Sequence, residues 1–481
     1  MASLARIWLA LAGLVAGVLC ADAGAWAVAA LGAGTVCTVR RPGRWRGPGV
    51  ALLCFGLGAL NASVRSVERL PAASLAEAVP ACRVFGRTLE EPGGLGVLAS
   101  MDRADCGDLG VVTDAGPVFL DDVAVRPGRS FVAEGWLVPL GDEPFDLARR
   151  RAGAAAVFTA TEAGDLGPAT RIHALSTRVR DRFAAAVASL GRPGQLLRGL
   201  TIGDTGGIDP HTEEDLRRSG LAHLLAVSGS NVAILLGTVA LVLRRASFAT
   251  RVAACALALL AFVAVVRPDA SVLRAAGMGV VALAALVYGR RTEPLHALGL
   301  ALAAVVAFRP GIVYSTGLHL SAAATAGIVL WTRPITRRLG RLPKHASVAV
   351  AATIAAQAAV APLLMGVFGQ LPVAGVIANV LALPAVAPAT VLGLAAAAAG
   401  AVADAPARLL ASAAAPFAGW ILGVGERLGE PAWASPAVSP RWGIFCAAPV
   451  LIAAIVAVPG ALRPRARNLD ADEPDPHPEG R

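Results

Sequence analysis

Four polar side chains, His223, Ser228, Ser230 and Asn231, lie in or at the mouth of an apolar run that continues to Leu243. Together they offer hydroxyl, amide and imidazole groups, which can hydrogen-bond a polar cargo or one another. Such groups are costly at membrane depth unless they find partners or line water, so this segment is expected to face a bundle interior or a cavity. Gly220, Gly229 and Gly237 sit among them, where small residues let neighbouring backbones come close. A passive anchor has little need of either feature.

Further along, polar residues interrupt apolar runs at Arg274, His319, Ser321, Gln357, Gln370 and Asn379. The arginine is the costliest of these and marks a functional or pairing position by default. Asp269 is one available partner, and snorkelling outward is the other solution open to Arg274. Gln357 and Asn379 either line a path or hold helices together through hydrogen bonds. Phe368-Gly-Gln-Leu-Pro372 and Pro384-Ala-Val-Ala-Pro388 predict broken or re-entrant helices, a backbone tolerated at membrane depth only inside protein or beside a cavity. Catalytic signals are poor. There is no P-loop, zinc-protease motif or nucleophile elbow, and the 7 histidines are dispersed. Asp204, Asp209 and His211 are expected to serve as caps and ion pairs. No enzyme activity, metal site or cofactor is predicted.

The elements that must position these residues are mostly membrane helices. Of 481 residues, 56% are hydrophobic and only 16% charged, outside the range of ordinary soluble domains. The formal charge of +10 comes from arginines in short segments between apolar runs. This is the pattern of cytoplasmic loops under the positive-inside rule and is weak evidence for a nucleic-acid patch. Apolar runs at 4–20, 25–39 and 50–61 precede the polar-bearing segment. Further runs follow it at 252–266, 272–288, 295–308, 312–331, 346–365, 373–403, 409–425 and 444–458. Every second loop is basic, from Arg40-Arg41 to Arg337-Arg338-Leu-Gly-Arg341, which predicts about twelve spans with both termini cytoplasmic in the plasma membrane.

Between Arg65 and Arg192 no run is long enough to span. Short β-rich pieces (Arg83–Arg87, Gly110–Thr113, Pro117–Leu120, Ser130–Val138) alternate with turn signals such as Arg126-Pro-Gly-Arg129. A small extracytoplasmic β-barrel is expected, with a five-stranded oligonucleotide-binding fold suited to the strand number. Cys82 and Cys106 are the only cysteines in this soluble portion. On the oxidising side they pair, and otherwise they are two buried thiols. Thr177 to Leu190 has helical periodicity, with Arg178, Arg180 and Arg182 on a polar side expected to lie along the membrane surface. The organisation expected is N-terminal spans over 1–64, the β-rich domain over 65–176 and amphipathic surface helices over 177–220. A channel domain over 221–462 and a disordered cytoplasmic tail over 463–481 complete it.

Leu200-Thr-Ile-Gly-Asp204 followed by Ser219-Gly-Leu-Ala-His-Leu-Leu-Ala-Val-Ser-Gly-Ser-Asn-Val232 resembles the signature of the ComEC family of DNA-uptake proteins. Ser271-Val-Leu-Arg-Ala275, Gly317 through Gly327, Gln357 with Pro362, and Phe368–Pro372 through Asn379 and Pro384 follow in the family's order. The resemblance implies a membrane channel that passes single-stranded transforming DNA inward during natural competence. By the same resemblance, His223, Ser228, Asn231, Arg274, His319, Gln357, Gln370 and Asn379 line or brace the path. The β-domain would guide DNA, with Phe85, Phe119, Phe131 and Trp136 as stacking candidates. Implied partners are single-stranded DNA, membrane lipid and other competence proteins: a DNA receptor, a cytoplasmic helicase and a separate nuclease. The chain lacks the H-x-H-x-D-H ligand set of the metallo-β-lactamase-like domain found in many members, so strand degradation is expected of another protein. The family motif often has histidine where Asn231 stands, so no proton or metal role is carried to that position. A transporter of another polar substrate or of an envelope polymer on the same scaffold is the rival reading.

Overall fold

The computed structural model describes residues 71–439, except 91–96, 122–127, 142, 144–145, 147–148, 151–153, 226, 267–269, 291–292, 310–311 and 314, together with 441, 442 and 446. The expected spans before residue 65, the run at 444–458 apart from Cys446, and the C-terminal tail lie outside the described residues, as does Asp269.

A short helix α1 (Pro71–Ala76) leads into five strands: β1 (Ala81–Glu90), β2 (Val97–Asp105), β3 (Val111–Asp121), β4 (Arg129–Pro139) and β5 (Ala156–Pro168). Their pairing closes a barrel in the order β1-β2-β3-β5-β4, antiparallel everywhere except between β3 and β5. Alternation along β4 explains the closure, because Phe131, Ala133 and Leu137 are buried while Glu134 and Trp136 point to solvent. Cys82 and Cys106 are joined in a disulfide that ties the start of β1 to the end of β2. The two pieces expected at Gly110–Thr113 and Pro117–Leu120 belong to one strand. The residues between them, with Asp114 at φ 54° and Gly116 at φ 105°, lie within β3.

Eleven helices follow among the described residues: α2 (Arg171–Val187), α3 (Arg192–Ile202), α4 (Pro210–Arg218), α5 (Gly229–Val242), α6 (Phe248–Val265), α7 (Ala270–Val287), α8 (Pro294–Phe308), α9 (Thr316–Arg338), α10 (Lys344–Phe368), α11 (Gly375–Gly400) and α12 (Asp404–Gly429). Five of them, α6, α7, α10, α11 and α12, are long and apolar enough to cross a membrane, while α5 and α8 are apolar but shorter. Leucines and valines such as Leu257, Leu260, Val280 and Leu409 lie exposed on these helices, a surface that suits lipid rather than water.

Among the described helices, α11 and α12 share the most extensive contact. Buried Ala378, Ala382, Ala385, Ala389, Gly393, Ala396 and Gly400 recur at intervals of three and four along α11. Ala407, Ala411, Ala414 and Ala418 are likewise buried along α12, with Ala407 packed against Gly400, while Gly425 and Gly429 face Leu216 and Asp215 of α4 and Gly393 faces Thr201 of α3. Small residues on both faces let the two backbones approach, which is how membrane helices associate without a hydrophobic drive between them. The break expected at Pro384–Pro388 does not occur, because α11 runs unbroken through both prolines. Trp420 of α12 donates its indole N–H to the Leu381 carbonyl at 2.8 Å, a contact that ties the two helices together beside Pro384. The break at Phe368–Pro372 is real and forms the link between α10 and α11, where Gln370 makes an isolated bridge to Ala437.

Of the three α2 arginines, Arg178 is exposed, whereas Arg180 and Arg182 reach the ends of other helices. Arg180 donates to the carbonyls of Ile202 and Val265, at the ends of α3 and α6. Arg182 donates to Gly400 and Ala401, at the end of α11. The last carbonyls of a helix have no intrahelical partner and carry its negative pole, so arginines are well suited to meet them. Phe183 and Val187 of the same helix are buried in the core formed with α3, α4, α11 and α12.

Candidate functional site

The polar-bearing segment is built up from α3. This helix ends at Ile202, and Gly203 follows in the left-handed region (φ 67°), its N–H returning to the Gly199 carbonyl at 3.0 Å. The turn places Asp204 against Arg198, with Nη2 to Oδ2 at 2.6 Å. Asp209 then caps α4, accepting the Thr212 N–H at 2.9 Å and the Thr212 hydroxyl at 2.6 Å. His211 sits 3.1 Å from Asp215 within α4. Asp209 therefore serves as a cap and Asp204 as an ion-pair group, while the exposed His211 lies within hydrogen-bonding reach of Asp215.

Both aspartates titrate low. Burial pushes the Asp204 carboxyl up, but the Arg198 hydrogen bond and charge, with help from Arg180 and the Gly206 N–H, outweigh it and hold it below the usual range. The Thr212 hydroxyl and N–H do the same for Asp209. A carboxyl depressed in the folded state contributes stability that is complete above its unfolded value of about 3.9 and is lost as pH falls through the lower folded value. Asp204→Asn is therefore expected to melt below the wild type at neutral pH and to converge with it in acid. Melting curves across pH check this, and a gap that stays constant with pH would count against the ion pair.

After α4 the chain turns at Gly220. One 3-10 turn (Ala222–Leu224) leads to Ser228 and the start of α5. His223 is exposed and folds back, its Nδ1 3.1 Å from the Gly220 carbonyl. Asn231 is buried and donates from Nδ2 to the Leu200 carbonyl at 2.9 Å. Because α3 ends two residues later, that carbonyl lacks an intrahelical partner. Asn231→Leu should therefore cost about 1–3 kcal/mol, the usual penalty for a buried acceptor left without its donor. Unfolding midpoints in detergent measure it, and an unchanged midpoint would show the carbonyl to be otherwise satisfied.

Two groups of sequence-predicted residues assemble. Ser228 and Ser230 have their hydroxyls 2.5 Å apart at the start of α5, with the Asn231 side chain beside them. Arg274 of α7 lies against the same helix start, its Nη2 3.1 Å from where a Cβ on Gly229 would stand. Its Nη1 donates to Thr325 of α9 at 2.8 Å and contacts the Met278 sulfur at 3.5 Å. Ser271, one turn earlier on α7, donates to the Val227 carbonyl and clamps the two segments together.

The second group surrounds the link between α10 and α11. Gln357 donates to the Pro372 carbonyl at 3.0 Å, and Asn379 to the Gly375 carbonyl at 2.8 Å. The Gln370 side chain accepts from Arg217 of α4. His319 is exposed on α9 and joins neither group. Thr325, Met278 and Arg217 were not singled out from sequence. Thr325 stands one turn from Ser321 on a helix face, and that spacing was the available signal.

Within the barrel, Phe119 and Phe131 are fully buried and cannot stack on a ligand, which leaves Phe85 and the exposed Trp136. Several barrel arginines already hold acids, as in Arg83–Glu134, Arg87–Asp102 and Arg129–Asp165.

An exterior of exposed aliphatic side chains around an interior that buries an arginine, an asparagine and glycine-lined contacts defines a helical membrane protein. Residues 200–464, more than half of the chain, match the model of the family described as Competence protein. The chain belongs to that family, the ComEC-type competence proteins. No curated protein and no solved structure matches it.

Proposed function

We propose that this protein is the plasma-membrane channel through which single-stranded transforming DNA enters the cell. The observation that carries the reading is the cluster of Ser228, Ser230 and Arg274 at the start of an apolar helix, in a chain of the competence family. A buried cation and hydroxyls in a membrane bundle have a purpose if a polyanion moves past them. The barrel is an oligonucleotide-binding-like module on the outer side, a reading favoured by its five-strand order. The remaining runs complete about twelve spans with both termini cytoplasmic. The partners in this reading are the DNA strand, membrane lipid, a DNA receptor, a cytoplasmic helicase and a separate nuclease.

Deleting the gene should abolish transformation and leave surface-bound DNA at its normal level, with labelled DNA trapped outside the membrane. Normal transformation in the deletion strain would overturn the proposal. One observation favours a second reading, transport of another polar substrate or an envelope polymer. Arg83, Arg87 and Arg129 hold acids on the barrel, whereas a nucleic-acid groove is better served by free cations. Labelled DNA that enters the deletion strain normally would favour that reading.

A further inference from the structure

We propose that the N-terminus of α5 and the buried guanidinium of Arg274 form an oxyanion site that holds one phosphate group. The identity of its occupant, a phosphodiester of the passing strand, rests on the function proposed above; the site itself does not.

Helix α5 has 14 residues and starts after Ser228, whose extended backbone (φ −108°, ψ 169°) turns the chain into the helix. No side chain caps this end. The first N–H groups of a helix carry partial positive charge and make a ready anion site. Arg274 is the independent observation. It is 5% exposed, its Nε has no hydrogen-bond partner, and no carboxylate pairs with it among the described residues. Its fork is held from behind: Nη1 donates to the Thr325 hydroxyl, which donates in turn to the Ser321 carbonyl at 2.8 Å. Nη2 faces Gly229, the first residue of α5, across a gap that a single Cβ would crowd.

A buried cation held against the positive end of a helix is unfavourable unless an anion joins them. A phosphate oxyanion is the anion matched to these donors, because the guanidinium fork suits its geometry and the Ser228 and Ser230 hydroxyls stand at the same helix end to donate; it would sit beside the close Nη2–Gly229 approach, not between them. Ser230 is exposed, so the site opens at the edge of the bundle rather than being sealed within it.

The test uses the full chain in phosphatidylcholine nanodiscs, with radiolabelled inorganic phosphate and an oligothymidylate as probes. Arg274→Gln should weaken both by about tenfold or more, and Arg274→Lys, which keeps charge without the fork, by less. A methylphosphonate oligomer, with an uncharged backbone, should fail to displace phosphate. If Arg274→Gln does not fold, the Ser228→Ala/Ser230→Ala double variant carries the test, with a several-fold loss expected. Phosphate binding unchanged in the variants would overturn the site. Displacement of phosphate by phosphatidylglycerol but not by oligothymidylate would assign the site to lipid and overturn the strand as its occupant. Strand import that survives Arg274→Gln overturns the strand as the occupant and leaves the conduit standing, the site itself being judged by phosphate binding alone. Arg274-dependent phosphate binding in a protein that imports no strand upholds the site and overturns the conduit.

Discussion

Gly220→Ala is expected to lower the stability of the protein by about 3 kcal/mol, the sum of left-handed backbone strain and overpacking. Gly220 has φ 75°, a conformation in which a Cβ meets the following carbonyl. A Cβ there would also lie 2.8 Å from the Gly375 Cα, closer than packed atoms tolerate, and a tight 3.3 Å from the Pro372 Cβ. Neither contact is with a flexible side-chain tip, so relief requires the turn after α4 to move away from the start of α11. Gly237→Ala is the control. Nothing lies within 4 Å of a Cβ at that position in α5, and alanine there should be neutral or stabilising by up to about 1 kcal/mol. Denaturant titration in mixed micelles compares the two. Equal midpoints for both variants would show that Gly220 is not held against Gly375.

The second large effect lies in the barrel. Replacing Cys82 and Cys106 together by serine should destabilise β1 and β2 by about 3 kcal/mol, because the bond closes a loop of 24 residues that would otherwise be free in the unfolded chain. Both side chains are buried in the barrel core beside Val84 and Ala104. Serine hydroxyls in that core add a desolvation cost to the lost constraint. Hydrogen exchange of the strand amides reads the effect locally. Faster exchange confined to the barrel is expected, with the helices unchanged. Unaltered exchange in β1 and β2 would mean that pairing alone holds those strands.

Much of the helical architecture was legible before any coordinates. The runs from Val252 to Gly425 correspond to α6 through α12, because burial in lipid rewards each apolar residue separately and the signal accumulates along the run. The start of α4 was legible for a similar reason: Asp209, Pro210 and Glu213 act within one turn of each other. Strands were harder. β5 carries no clear strand signal because only its first residues, Ala156 to Phe158, are buried and Thr161 to Leu166 are exposed with no alternation. The prolines of α11 do not break it, since a breaker rule drawn from water-exposed helices does not carry over to a packed membrane bundle, where proline is tolerated.

The site residues divide in the same way. Sequence could say that Arg274, Asn231 and Gln357 are too polar for their surroundings, because the cost of burying them is a property of each residue. It could not say what meets them. Asn231 finds a carbonyl 31 residues away, Arg274 a hydroxyl 51 residues away, and Arg182 a helix end 218 residues away.

A chain rich in apolar runs punctuated by arginine was bound to become a membrane helix protein, since transfer from water to lipid is settled segment by segment. Whether its polar groups meet one another, a backbone carbonyl or an open helix end was decided only when the helices packed. Hydrogen bonds need partners within about 3 Å, and only tertiary contact brings groups so far apart in the chain to that distance.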